Sequence, residues 1–288
     1  MTRPFITPSI IRSIGDGTRR TLALTALTVL AALAAAAVQP AQAVEPFKVY
    51  DTFNGPQIDL TRWVETERVR SLRAGALNLM QRTLGSATAD SGLSFVNFNE
   101  NLVNANAVTA LRAKVTVNAL EVNACPSNPA IAEARARIVG GFFNVGTPAP
   151  GSQLGDAIGQ VKVTRFSNSA DPAGVLRVIG SLAICTTADC NNANLVGNAV
   201  DLGTVSVGQS LTIQIQWDQP GKAFLFGRDN GAFSGSVAYT EADASPPSLA
   251  FKQVSTRVSV PACLSAPAVS ATVDASFDNI AVNRSAAP

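Results

Sequence analysis

Beyond Val44 apolar and polar residues alternate with a period of two, and Gly, Asn, Asp, Ser and Pro break the alternation into short runs. Successive side chains of an extended strand point to opposite faces, so such a run offers one face to a core and the other to water. The clearest case is Ala110 to Leu120, where Leu111, Ala113, Val115, Val117 and Ala119 alternate with Arg112, Lys114, Thr116 and Asn118. Leu211 to Asp218 repeats the pattern, with Leu211, Ile213, Ile215 and Trp217 set against Thr212, Gln214, Gln216 and Asp218. Further strands are predicted over 47–50, 69–73, 76–82, 134–143, 158–166, 175–185, 223–227, 236–240, 249–260 and 271–282. No long amphipathic helix interrupts them, and a dozen strands without helices call for two packed antiparallel sheets; a closed barrel is the alternative. Asp218-Gln219-Pro220-Gly221 and Arg228-Asp229-Asn230-Gly231 are reversal signals on either side of Phe224-Leu225-Phe226. Gly140-Gly141 sits inside a strand pattern and reads as a bulge rather than a phosphate loop.

The first 43 residues have a different character. Arg3, Arg12, Arg19 and Arg20 precede an uncharged, alanine-rich stretch from Leu22 to Val38, and Ala41-Gln42-Ala43 follows. This is the order of a basic region, an apolar region and a small-residue cleavage site, so residues 1–43 are expected to be a signal peptide and 44–288 one exported domain. The stretch is short of the roughly 20 apolar residues that cross a bilayer, so no transmembrane span is expected after cleavage. Thr18-Arg19-Arg20-Thr21-Leu22 partly resembles a twin-arginine signal, which leaves the export route open. The expected location is periplasmic, cell-surface or extracellular.

Without that segment the chain holds 18 basic against 19 acidic residues, and the basic excess that would pair with nucleic-acid phosphates is missing. Four cysteines remain, and an even count in an oxidising compartment reads as two disulfides. The short polar turn Thr186-Thr187-Ala188-Asp189 favours pairing Cys185 with Cys190, which leaves Cys125 with Cys263. A metal or redox site is disfavoured, because the spacing is C-x4-C and the chain has no histidine.

Two stretches point to a family. Tyr50-Asp51-Thr52-Phe53-Asn54-Gly55, with Asp59 and Trp63 beyond, is similar to the opening of many concanavalin A-like lectin and glucanase domains, and Phe277-Asp278-Asn279-Ile280-Ala281-Val282 resembles their closing strand. Gln216-Trp217-Asp218 followed by Phe224-Leu225-Phe226 is similar to an internal hairpin of the same family. The resemblance implies an all-β, two-sheet antiparallel jelly-roll sandwich in which the first and last strands lie side by side, with Phe53, Trp63 and Phe277 as core anchors. Asp51, Asp59, Asp278 and Asn279 then read either as turn caps at strand ends or as ligands for calcium, a hard cation that suits their oxygens, with Asp51 and Asp278 as the leading pair.

Members of that family that cut glucans carry E-x-D-x-E or E-x-D-x-x-E on a central strand, its two glutamates serving as nucleophile and acid. This sequence lacks the string; its nearest approaches are Glu65 with Glu67 and Glu241 with Asp243. The absence of histidine also removes Ser-His-Asp and Cys-His chemistry. A non-catalytic domain that binds carbohydrate or an envelope component is therefore expected, with a structural or adhesive surface protein and a divergent glycoside hydrolase or lyase as alternatives. The polar candidates for meeting hydroxyls are Arg112, Lys114, Arg135, Arg137, Gln214 and Gln216, with Tyr239 as the aromatic; the same rows also read as a solvated sheet face.

Overall fold

The alternating segments pair into fourteen strands among the residues that the computed structural model describes, 67–147, 149–264 and 269–287. In chain order they are β1 (Glu67–Arg73), β2 (Ala76–Leu84), β3 (Leu93–Asn101), β4 (Ala110–Val122), β5 (Glu133–Asn144), β6 (Asp156–Phe166) and β7 (Val175–Cys185). Then follow β8 (Ala193–Leu195), β9 (Val200–Ser206), β10 (Ser210–Asp218), β11 (Ala223–Arg228), β12 (Phe233–Ala238), β13 (Lys252–Pro261) and β14 (Ser270–Val282). The expected signal peptide, the 47–50 segment, and Asp51, Phe53, Asp59, Trp63 and Glu65 lie outside the described residues.

All pairings are antiparallel and make two sheets. The first has the order β1-β2-β14-β4-β10-β11-β12; the second has the order β3-β13-β5-β6-β7-β8, with β9 also pairing with β7. The fold is the two-sheet antiparallel sandwich that the alternation implied, in the jelly-roll form that the resemblance implied. Strand β14 lies between β2 and β4, so the closing segment sits beside the first described hairpin, with Phe277 opposite both Leu77 and Val115.

The core lies between the inner faces. Leu111, Ala113, Val115 and Val117 of β4 and Leu211, Ile213 and Ile215 of β10 are buried, each strand at every second position. They meet Ala136 and Ile138 of β5, Val161 and Val163 of β6, and Leu176, Val178 and Leu182 of β7. Bulky aromatics of one sheet need open backbone on the other: a Cβ on Gly180 would stand 2.5 Å from the Phe226 side chain, and one on Gly159 would stand 3.1 Å from Phe224. Trp217 is part-buried against this core and stacks on Phe143, with centroids 5.6 Å apart.

Both expected disulfides are present. Cys125–Cys263 joins the loop after β4 to the end of β13 across 138 residues, and Cys185–Cys190 closes the turn after β7. Four features depart from the sequence expectation. β3 is a strand although five polar side chains stand among its nine residues, because its outer face belongs to a polar groove and not to bulk solvent. β8 and β9 are short strands at the β7 edge, in a stretch rich in glycine and asparagine. β12 begins three residues before the expected strand and ends at Ala238, leaving Tyr239 outside. β13 begins only at Lys252, because the Ser248 and Leu249 amides turn aside to donate to the buried Asp156 carboxylate at 2.9 and 3.4 Å. The expected bulge at Gly140-Gly141 is real, with a register shift between Gly141 and Phe143.

Candidate functional site

The outer face of the second sheet is built as rows across neighbouring strands, because register partners in an antiparallel ladder point to the same side. One row runs Asn97, Arg257, Arg135, Thr164; the next runs Asn99, Ser255, Arg137, Lys162; a third joins Gln253, Val139, Gln160 and Ser181. The rows lie roughly 7 Å apart, two residues along a strand. The odd-numbered residues of β5 thus place Glu133, Arg135 and Arg137 on the outer face while Ala134, Ala136 and Ile138 enter the core.

These rows floor a groove of about 300 Å3, walled by Phe251 on one side and by Asp189, Cys190, Asn191 and Ala193 on the other. The Cys185–Cys190 bridge fixes that second wall. Although it faces outward, the floor is shielded: Arg135 and Arg137 are each 7% exposed. Every nitrogen of the Arg137 guanidinium is engaged, Nε with Ser255 Oγ at 2.9 Å, Nη1 with Gln160 Oε1 at 3.2 Å and Nη2 with Asn97 Oδ1 at 3.2 Å. Glu133 holds the other cations, accepting from Arg135 Nη1 at 3.0 Å, Lys162 Nζ at 2.7 Å and Thr164 Oγ1 at 2.8 Å.

Charge in the groove is unbalanced. Arg135, Arg137 and Arg257 line it with one acid, Asp189, which stands exposed on the rim with its oxygens taken by Thr187 and Asn191, while Lys162 and Glu133 stand beside the groove paired with each other. Burial, then the neighbouring Arg135 and Arg257 charges, push Arg137 well below the ordinary guanidinium value. Arg257 falls to about 10 for the same reasons, burial first and Arg135 second. Burial by itself would raise Glu133, but Arg135 and Lys162 outweigh it and hold the carboxyl at about 2, ionised at any physiological pH. Arg135 Nε and Arg257 Nε are buried without a hydrogen-bond partner, as is Asn99 Oδ1. A site with surplus positive charge, spare N–H groups and several amides matches a ligand bearing both anions and hydroxyls.

The sequence candidates divide. Arg135 and Arg137 form the groove floor. Arg112, Lys114, Gln214 and Gln216 lie on the outer face of the other sheet, where Arg112 pairs in register with Gln214 and borders a depression of about 260 Å3. They do not join the arginines of β5 in one site, because β4 and β10 belong to the first sheet and β5 to the second. Tyr239 is corrected outright: it is 4% exposed, its hydroxyl accepts from Trp217 Nε1 at 2.8 Å and donates to Asp243 at 2.5 Å, and it packs on Phe143 as a core residue rather than a platform. Asp278 stands opposite Lys114 and accepts the Asn279 amide at 2.7 Å. Glu241 caps the Thr240 amide while Asp243 takes Tyr239 and Lys222, so these two acids point to different partners. The groove residues that sequence reasoning missed include Asn97, Asn99, Gln160, Gln253 and Arg257, with the Glu133–Lys162 pair beside them. Their one legible trace is the Glu-x-Arg-x-Arg alternation at the start of β5.

The chain is thus a jelly-roll sandwich with a cationic groove across one sheet. No family model and no curated protein matches it. Among solved structures it is similar to an alginate lyase, A1-II', at 16% identity, covering 76% of this chain and 84% of that one with a TM-score of 0.38. It is also similar to a legume lectin-like domain from Entamoeba histolytica at 9% identity, covering 74% and 88% with a TM-score of 0.30. A third similarity is to an endo-β-galactosidase from Clostridium perfringens that releases GlcNAcα1-4Gal, at 9% identity, covering 79% and 61% with a TM-score of 0.35.

Proposed function

We propose that this protein binds an acidic glycan in the groove of the second sheet, and that it does so without cleaving it. The carrying observation is the surplus of cations: Arg135, Arg137 and Arg257 line the groove with Lys162 beside them, against Glu133 and the rim's Asp189, in a chain whose exported part is otherwise close to neutral. Gathering like charges away from water is unfavourable unless something offsets it, and an incoming carboxylate or sulfate would do so through charge-assisted hydrogen bonds. Gln160, Gln253, Asn97 and Asn99 supply the amides that meet hydroxyl groups.

Binding is preferred over hydrolysis because Asp189, the acid of the groove's lining, is exposed on the rim and held low by its hydrogen bonds, and Glu133 beside the groove is held ionised and cannot act as a proton donor. In the same reading residues 1–43 are a cleaved export signal, 44–288 are the working domain, and both disulfides fit an oxidising compartment. Among the described residues no helix is long and apolar enough to cross a membrane.

Titration of the purified exported chain with polygalacturonate oligomers and with neutral glucan oligomers tests the reading. The acidic series is expected to bind, to weaken as salt is raised, and to lose at least about tenfold in Arg137→Gln, the scale of one charge-assisted contact. Equal binding of the neutral series, or full affinity in Arg137→Gln, would sink it. Accumulation of new reducing ends or of unsaturated ends would replace binding with cleavage, and spontaneous polymerisation without glycan binding would favour an adhesive role.

A further inference from the structure

Beside the cationic rows the same face carries a row of different chemistry. Phe95, Ser259, Glu133 and Phe166 are register partners across β3, β13, β5 and β6, one step along the strands from Asn97, Arg257, Arg135 and Thr164. Together with Ile131, Leu93 and Asn168 they border a second depression of about 380 Å3. Phe95 is 43% exposed and Ile131 48%, so apolar surface is open to solvent there. The two depressions lie on the same sheet face, with Arg257 and Arg135 of the first in the row next to the one that carries Phe95 and Glu133 of the second. The Arg257 guanidinium sits 4.5 Å from the Phe95 ring centroid, and Lys162 Nζ lies 5.0 Å from that of Phe166.

The lining of this shelf holds one carboxylate and no cation of its own, while Arg257 and Lys162 reach over its two rings from the neighbouring rows. Glu133 is ionised, and its oxygens are already bound to Arg135, Lys162 and Thr164. An anionic sugar unit placed on the shelf would find Lys162 already paired with Glu133 and would lay its charge against apolar surface. A neutral pyranose would instead lay its C–H face on the apolar surface and turn its hydroxyls to Asn168 and Ser259. Rows roughly 7 Å apart place that unit next to the one whose anion meets Arg135 and Arg257.

Resting on the acidic-glycan reading of the groove, we infer that the shelf formed by Phe95, Ile131 and Phe166 is a second subsite that takes a neutral sugar, so that the ligand is a mixed polymer in which an anionic unit is followed by a neutral one. A polymer of uronic acid alone fills the cationic rows but leaves the apolar surface of the shelf uncovered.

The test compares two hexasaccharides on the purified exported chain: hyaluronan, which alternates glucuronate with N-acetylglucosamine, and polygalacturonate, which is acid throughout. Calorimetry is expected to give the alternating hexamer at least about tenfold tighter binding. Phe95→Ala and Phe166→Ala should each bring the ratio of the two affinities towards one, and circular dichroism would verify that these surface variants stay folded. Arg135→Gln should weaken both hexamers. Equal affinities in the wild type, or a ratio unmoved by both phenylalanine variants, overturns the shelf while the groove stands. Failure of either hexamer to bind, with no response to Arg135→Gln, overturns the groove and the shelf together.

Discussion

The outer faces of the two sheets are written in the same residues and behave differently. On the first sheet Arg112 and Lys114 alternate with core residues of β4 and project into solvent. On the second, Arg135 and Arg137 alternate with core residues of β5 in the same way and are nearly buried. The difference lies in what stands beside each strand. β4 is flanked by Thr212, Gln214 and Gln216 on one side and by Asp278 and Ala281 on the other, which leaves its cations room and water. β5 is flanked by Arg257 and Ser255 of β13 and by Lys162 and Thr164 of β6, beneath walls from Phe251 and the Cys185–Cys190 turn. Crowded cations without water must find partners or a ligand; solvated ones need neither.

The largest test of this contrast is Glu133→Gln. Removing the carboxylate that pairs with both Arg135 and Lys162 strands these two cations, and unfolding in denaturant should show a loss of about 3–5 kcal/mol, the cost of breaking a shielded ion pair from one side. A loss below about 1 kcal/mol would mean that the second face is as solvated as the first.

Acid titration follows. The folded value of about 2 lies below the ordinary 4.5, so Glu133 contributes its stability in full above pH 4.5 and loses it as pH falls towards 2. Melting temperatures across that window should fall in the wild type and flatten in Glu133→Gln.

Lys252 sharpens the contrast from inside the sandwich. Its Nζ donates to the Gly141 and Ala105 carbonyls at 2.6 and 3.2 Å and lies 4.3 Å from the Phe142 centroid, with burial lowering it from 10.5 to about 8. A lowered amine makes the unfolded chain bind more protons between those values, so stability should rise as pH goes from 8 to 10.5. Lys252→Met should abolish that rise in a pH series of unfolding curves. The smallest effect is expected for Arg112→Ala and Lys114→Ala, each within about 0.5 kcal/mol; a larger change would show that the first face is not a solvated surface.

The fold was legible wherever one face of a strand is apolar. β4, β7 and β10 follow from alternation to within two residues at either end, because burial of every second side chain is a local property of the sequence. β3 was not, since Asn97, Asn99 and Asn101 look like turn residues until the pairing of β3 with β13 draws them into the sheet. The site was half legible: the alternation of Glu133, Arg135 and Arg137 is visible in the chain, but Arg112 with Gln214 gives the same signal and faces the opposite way.

What the sequence by itself determined is the class of the molecule: an all-β chain of short strands, near-neutral beyond its basic start, with four cysteines paired as their spacing suggested. What only the tertiary structure decided is which polar row became a site. Period two says that a side chain faces outward, but not which strand lies beside it, and Arg257 comes to Arg135 across 122 positions only through the pairing of β13 with β5. A buried cluster of charges is a property of neighbours, and neighbours in a sandwich are set by sheet order rather than by distance along the chain.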